Sequence, residues 1–264
     1  MKSVAFSKMS GTGNDFIIID NRKGVIANSK KFALAVCNRK RSVGADGVLL
    51  VERSKVADYK MRIINSDGSE AGMCGNGIRC IAMFAFLKKI AGKEQSVETL
   101  SGLKTVTITD SGKGVVDVNM GVPKDEKFGI HVRTCGKSFL AYYVNTGVPH
   151  TVVFNKNVNV AVDGRQIRYH KVFKPAGTNV DFVKVIDKHT IRVRTYERGV
   201  EEETDACGTG ATASAYITNM LCKTKFPAKV VTSGGDILKI DADEDGNLYM
   251  SGKVTNICEG KIFY

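Results

Sequence analysis

The chain opens on alternating apolar and polar positions. Val4-Ala-Phe-Ser-Lys-Met9 leads through a glycine turn into Phe16-Ile-Ile-Ile-Asp20, a pattern that predicts a β-hairpin or paired strands. A helix is expected over 29–39 with Ser29 as its cap, then strands over 47–52 and 59–64. A polar, glycine-rich loop, 65–77, runs into the mostly apolar stretch Ile78–Leu87, which reads as a helix. Lys88-Lys89 follow, where a helix carboxyl end favours positive charge. Strands then dominate, over 96–99, 104–109, 114–119, 139–145, 151–154, 181–185 and 190–196. A second glycine-bearing loop, 201–210, opens a helix at about 211–223, and short strands at 229–231, 237–240, 248–251 and 261–264 close the chain.

The two loops echo each other. Glu70-x-x-x-Cys74-Gly-x-Gly77 and Glu203-x-x-x-Cys207-Gly-x-Gly210 each precede a helix, one in each half of the chain. Such a long-period echo predicts an α+β protein of two similar domains, each a strand-rich, barrel-like sheet around a central helix, with the active site in the cleft between them. The polar stretch Gly121-Val-Pro-Lys-Asp-Glu-Lys127 places the boundary, giving domains 1–120 and 121–264, the last strand being free to return to the first half.

A helix amino end presents unpaired N–H groups and partial positive charge, so it attracts anions and stabilises a thiolate. Two such ends, each with a cysteine and flanking glycines, suit the removal of a proton from one face of a carbon and its return on the other. The two thiols would then titrate as a coupled pair. The plain alternative is two small residues packed at helix starts, since a free cysteine behaves as a buried hydrophobe. Cys37, Cys80, Cys135, Cys222 and Cys258 are expected to pack in that way.

Composition narrows the classes. At 264 residues with 43% hydrophobic and 25% charged positions, the chain has material for a real core. No apolar run approaches the roughly 18 residues of a membrane span, and Arg79 interrupts the best candidate. The amino terminus lacks an apolar secretory core, and seven cysteines form no even framework, so a reducing, cytoplasmic location is expected. Net charge is +12, but the basic residues are scattered and the densest run is only Asn38-Arg-Lys-Arg41. With no tryptophan and no basic motif interleaved with aromatics, nucleic-acid binding is not expected. Gly11-Thr-Gly13 lacks the third glycine of a dinucleotide fingerprint, Gly208-Thr-Gly210 lacks the P-loop lysine, and no C-x-x-C pair suggests zinc.

The segments 6–16 (FSKMSGTGNDF), 65–80 (NSDGSEAGMCGNGIRC) and 196–210 (YERGVEEETDACGTG) resemble those of diaminopimelate epimerases, in family order and from first strand to last. The resemblance implies an isomerase that interconverts L,L- and meso-diaminopimelate on the route to lysine and peptidoglycan, needing neither pyridoxal phosphate nor a metal. It further implies that Cys74 and Cys207 are the acid–base pair. Gly75, Asn76, Gly208 and Thr209 would offer backbone donors to the carboxylate at the reacting end. Asn14, Asn65, Asn179, Glu197 and Arg198 would hold the substrate's amino and carboxylate groups, with Arg198 as a two-pronged clamp. His150, in Gly147-Val-Pro-His150, resembles the family histidine near the reacting amino group.

Three positions depart from the family pattern. Gly47 stands where many members carry Gln, Val148 where many carry Asn, and Ser10 where His is common. The expected partner is a small amino-acid substrate, with no nucleic acid and no membrane; a homodimer is left open. A related cofactor-independent racemase of another amino acid, of histidine or proline type, is the nearest rival. A cysteine hydrolase using Cys74 with His150 as base would leave Cys207 without a role.

Overall fold

The computed structural model describes residues 3–155 and 157–264, and the chain divides into two compact units, Met1–Val118 with Gly252–Tyr264, and Asn119–Ser251. The first ten elements are β1 (Ser3–Gly11), β2 (Asn14–Asp20), α1 (Ser29–Val36), β3 (Gly47–Glu52), β4 (Tyr59–Asn65), β5 (Glu70–Ala71), α2 (Gly75–Leu87), β6 (Glu94–Thr99), β7 (Gly102–Asp110) and β8 (Val115–Gly121). Then come β9 (Lys124–Thr134), β10 (Lys137–Asn145), β11 (Pro149–Val153), α3 (Val160–Arg168), a short 3-10 turn (Lys171–Phe173), β12 (Asn179–Asp187), β13 (Thr190–Tyr196), β14 (Glu203–Thr204), α4 (Gly208–Met220), β15 (Ala228–Val231), β16 (Ile237–Ala242) and β17 (Leu248–Phe263).

In the first unit, β1 and β2 form a hairpin, and β2 pairs parallel with β3 after the α1 crossover. β3 and β4 are antiparallel, and β4 pairs parallel with β6 after α2. β6, β7 and β8 follow antiparallel; β8 pairs with β17, and β17 pairs with β1, so the sheet closes on itself. α2 runs inside this barrel, touching β1, β2, β3, β4 and β7, with every residue from Gly75 to Ala85 buried. Such a helix must be apolar nearly all round. α1 covers the outer face through Phe32, Ala33 and Val36, which pack on Ile17, Ile19, Val48 and Leu50. Both faces of β2 and β3 are therefore covered, which is why Ile17-Ile-Ile19 and Val48-Leu-Leu-Val51 run unbroken instead of alternating.

The second unit repeats this order. β10 and β11 form a hairpin, β11 pairs parallel with β12 across α3, β12 and β13 are antiparallel, and β13 pairs parallel with β15 across α4. β16 and the start of β17 continue antiparallel. α4 is the inner helix, touching β10 to β13, β15 and β16, while α3 packs outside through Val160 and Ile167 on Phe182 and Tyr196. β9 pairs antiparallel with β10, as the end of β17 pairs with β1 in the first unit.

Several expectations are corrected in detail. α1 is capped by Asn28, whose side chain accepts from the Lys31 N–H at 2.9 Å, so Ser29 is its first residue. It ends at Val36, because the Asn38 side chain takes the N–H groups of Lys40 and Arg41 into a turn. The inner helices begin three residues earlier than the apolar runs, at Gly75 and Gly208. Two elements had no clear apolar pattern. α3 (VAVDGRQIR) is rich in β-branched residues and carries an internal glycine, and most of β9 is exposed. The last two predicted strands are one, β17, running from the second unit into the first. Cys135, Cys222 and Cys258 are exposed, on turns and an outer strand face, and only Cys37 and Cys80 pack as core. Cys37, Cys80, Cys135, Cys207, Cys222 and Cys258 are free thiols.

Candidate active site

The echoed loops fold alike in the two units. In each, a two-residue strand lies against the strand before it: Glu70 opposite Ile64, Glu203 opposite Tyr196. The repeated glutamate is gripped by an arginine of that longer strand through two parallel N–H···O bonds. Arg62 reaches Glu70 at 2.7 and 2.9 Å, and Arg194 reaches Glu203 at 2.8 and 2.7 Å. The glutamates of the motif thus brace the loop, and the cysteines that follow become the N-caps of the buried helices. Both adopt extended backbone, Cys74 at φ −141° and Cys207 at φ −119°.

In the first unit, Cys74 Sγ accepts the Gly77 N–H at 3.3 Å. Asn76 Nδ2 donates to Asn14 Oδ1 at 2.6 Å, and Asn14 Nδ2 to Asp46 at 3.2 Å. Arg79, absent from the candidate residues, lies fully buried one turn into α2. It donates to Gly75 O at 2.9 Å, to Asn76 Oδ1 at 2.8 Å and to Thr12 Oγ1. Thr12 and Gly13 form the two-residue β1–β2 turn with φ of 54° and 84°, the left-handed pair that such hairpins require. Arg79 thereby ties this turn to the helix start and orients Asn76 and Asn14. The polar interruption of an apolar helix was its one signal. Asn65 donates to Ser69 Oγ at 2.9 Å. Gly47 pairs with Asn65, and a Cβ there would lie 2.9 Å from the Ile64 carbonyl oxygen, so this backbone admits no side chain without shifting.

In the second unit, β11, β12 and β13 bring His150, Asn179 and Glu197-Arg198 to neighbouring positions: His150 pairs with Asn179, and Val180 with Tyr196. Asn179 Nδ2 donates to Pro149 O, and its Oδ1 accepts the Arg198 N–H, both at 2.8 Å. The Arg198 guanidinium reaches the Ala176 carbonyl at 3.2 Å. Glu197 accepts the Thr204 hydroxyl at 2.9 Å; burial pushes its carboxyl up, against the pull of that hydroxyl and of His150. Cys207 Sγ lies 3.4 Å from Thr209 Oγ1, which in turn lies 2.8 Å from His150 Nε2. Burial, then the carboxylates of Glu197 and Asp181, hold the Cys207 thiol well above the ordinary thiol range. Asp181 and Thr195 also escaped the sequence reading, although an aspartate inside the apolar run Val180–Val183 was a visible clue.

No three His, Cys, Asp or Glu side chains among the described residues cluster in a way that would hold a metal ion. The surface arginine of the basic run, Arg39, is itself paired with Asp15 and Asp46.

The family model described as diaminopimelate epimerase matches residues 6–125 and 142–257, on both sides of the division between the units. The chain belongs to the diaminopimelate epimerase family. A diaminopimelate epimerase of Archaeoglobus fulgidus is 45% identical, over 97% of this chain and 95% of that one. One from Aquifex aeolicus is 41% identical, over 97% of each. Among solved structures, a phenazine biosynthesis protein of the PhzF family from Bacillus anthracis superposes with TM-score 0.76 over 100% of both chains at 15% identity. A hydroxyproline epimerase from Agrobacterium vitis, solved with trans-4-hydroxy-L-proline, gives TM-score 0.71 over 98% of this chain and 92% of that one at 12% identity. These two likenesses show the fold, consistent with an α+β protein of two strand-rich domains.

Proposed function

We propose that the chain epimerises diaminopimelate at one α-carbon, between the L,L and meso forms, with Cys74 and Cys207 as the proton-transferring pair. Two-base inversion at carbon without redox chemistry uses a base on one face and an acid on the other, in opposite protonation states. One observation carries the reading: each unit caps its buried central helix with a cysteine, behind the same arginine–glutamate brace. The first-turn backbone N–H groups beside each thiol suit the carboxylate attached to that carbon, which lowers the cost of the carbanion. Gly75, Asn76, Gly208 and Thr209 would supply them. Asn14, Asn65, Asn179, Glu197 and Arg198 would hold the remaining amino and carboxylate groups, and His150 would stand near the reacting amino group. The setting is lysine biosynthesis in the cytoplasm, with a small amino acid as the partner, no nucleic acid or membrane, and no cofactor.

Incubation with L,L-diaminopimelate in heavy water, followed by chiral chromatography and mass spectrometry, tests this. The expected result is meso product labelled at its α-carbon while recovered substrate stays nearly unlabelled early on. Equal early labelling of both would point to a single base, and turnover of proline or histidine in place of diaminopimelate would reassign the substrate.

A further inference from the structure

Asp46 has a place in the first unit that no role above accounts for. It precedes Gly47, which lies opposite both Phe16 and Asn65 in the sheet, so it stands between two residues of the candidate site, Asn14 and Asn65. Its side chain accepts from Asn14 Nδ2 and from the Asp15 N–H, both at 3.2 Å, and its backbone carbonyl accepts the Ser66 N–H at 3.0 Å. Its other carboxylate oxygen accepts from Arg39 Nη2 at 2.8 Å. Arg39 also grips both oxygens of Asp15, at 3.0 and 2.7 Å. The Asp46 N–H closes the set by donating to Asp15 Oδ1 at 3.0 Å. Gly44, at φ 72°, admits this arrangement, because a Cβ there would stand 2.7 Å from Arg39 Cα. Arg39 and Asp46 are half exposed, but Asp15, to which both are tied, is buried.

The hydrogen bonds around Asn14 can run in one direction only. Arg79 has donors alone, and it donates to Asn76 Oδ1 at 2.8 Å. Asn76 must then face Asn14 with its amide nitrogen, which donates to Asn14 Oδ1 at 2.6 Å. Asn14 must in turn face Asp46 with its own nitrogen, since a carboxylate only accepts. Turning either amide over would set N–H against N–H at one contact and oxygen against oxygen at the next. With one N–H given to Asp46, the Asn14 amide keeps its second N–H for a ligand.

We propose that Asp46, bridged to Asp15 by Arg39, is the positioning residue that holds the Asn14 amide with one N–H free to donate to the substrate. This role rests on the proposed substrate contact of Asn14 and deepens it. A carboxylate suits the task, because a hydrogen bond to a charged acceptor is stronger than one to a neutral oxygen and cannot reverse its direction. Arg39 supplies what Asp46 lacks by itself. Its planar fork spans two carboxylates whose mutual repulsion would otherwise drive Asp46 away from Asp15 and Asn14.

Two measurements test this, the first without substrate. Asn14→Asp sets a second carboxylate against that of Asp46 and is expected to lower Tm. Adding Asp46→Asn restores one donor facing one acceptor, with the direction reversed, so the double variant is expected to recover part of that loss. A double variant no more stable than Asn14→Asp would overturn the one-way contact, whether or not diaminopimelate is turned over. The second measurement is turnover of diaminopimelate. Asp46→Asn, folded by circular dichroism, is expected to raise KM about tenfold with kcat within about twofold, because the misplaced amide serves ground and transition states alike. Arg39→Gln, which removes no atom facing Asn14, should raise KM in the same way but by less. A merely structural role would lower Tm in both variants and leave KM in place. Asn14→Ala reads the substrate contact itself. A raised KM in Asn14→Ala beside a wild-type KM in Asp46→Asn would overturn the positioning role and leave that contact standing.

Discussion

Substituting Gly164 in α3 by alanine sets two effects of opposite sign against each other. In an exposed helix interior, glycine to alanine gains about 1 kcal/mol of helix propensity. Here the new Cβ would lie 2.6 Å from Tyr196 Cβ, 2.7 Å from its Cγ and 2.9 Å from its Cδ2. Ordinary contacts start near 3.4 Å, so α3 must lift by most of an ångström or β13 must yield. The atoms struck are the root of a buried ring held in a sheet, and a change of rotamer does not move its Cβ. Overpacking of this kind costs about 1–3 kcal/mol and occasionally more. With the clash at the upper end of that range, the net result is a loss of about 1–2 kcal/mol, or roughly 3–6 °C in Tm for a chain this long. Differential scanning fluorimetry or calorimetry reads this directly. Because Tyr196 leads straight into Glu197-Arg198, kcat/KM for diaminopimelate should fall as well. A variant that melts higher than wild type would show that propensity outweighs the contact and that α3 is not pressed on Tyr196 as described.

Two further outcomes follow from the buried charges and thiols. Burial alone would raise the Asp15 carboxyl, but hydrogen bonds from Arg39 and Lys8 outweigh it and bring it from 3.8 to about 2. A depressed acid stabilises the fold fully above its unfolded pKa and loses that contribution as pH falls through the folded one. Asp15→Asn should therefore cost up to about 2 kcal/mol above about pH 4, and the difference from wild type should vanish toward about pH 2. Urea midpoints measured down that range check it, and a difference that persists at the acid end would show that the loss is not electrostatic. Burial pushes the Cys37 thiol up to about 11 and the Cys80 thiol up to about 12. Both should stay unlabelled by iodoacetamide in native protein at about pH 8 while the exposed Cys135, Cys222 and Cys258 react; labelling of Cys80 would mean that α2 opens.

Much of this architecture was legible in the chain because it rests on local rules. The unbroken runs Ile17–Ile19 and Val48–Val51, the apolar helix after Cys74 and the doubled Glu-x-x-x-Cys-Gly-x-Gly motif announce two covered sheets, each around a buried helix. Elements whose residues face water, such as β9, or whose helix is held by packing more than by propensity, such as α3, left little local trace. The candidate site divides in the same way. Cysteines and glycines at helix starts are local chemistry and could be named from the sequence. The braces from Arg62 and Arg194 depend on the folding back of a short strand, while the bond from Arg79 to Thr12 and the row Thr195–Asp181–His150–Thr209–Cys207 draw on residues far apart in the chain. Only strand register decides those partners: moving β12 by one residue against β13 would turn Asp181 to the opposite face, leaving the sequence motif unchanged and His150 without its carboxylate.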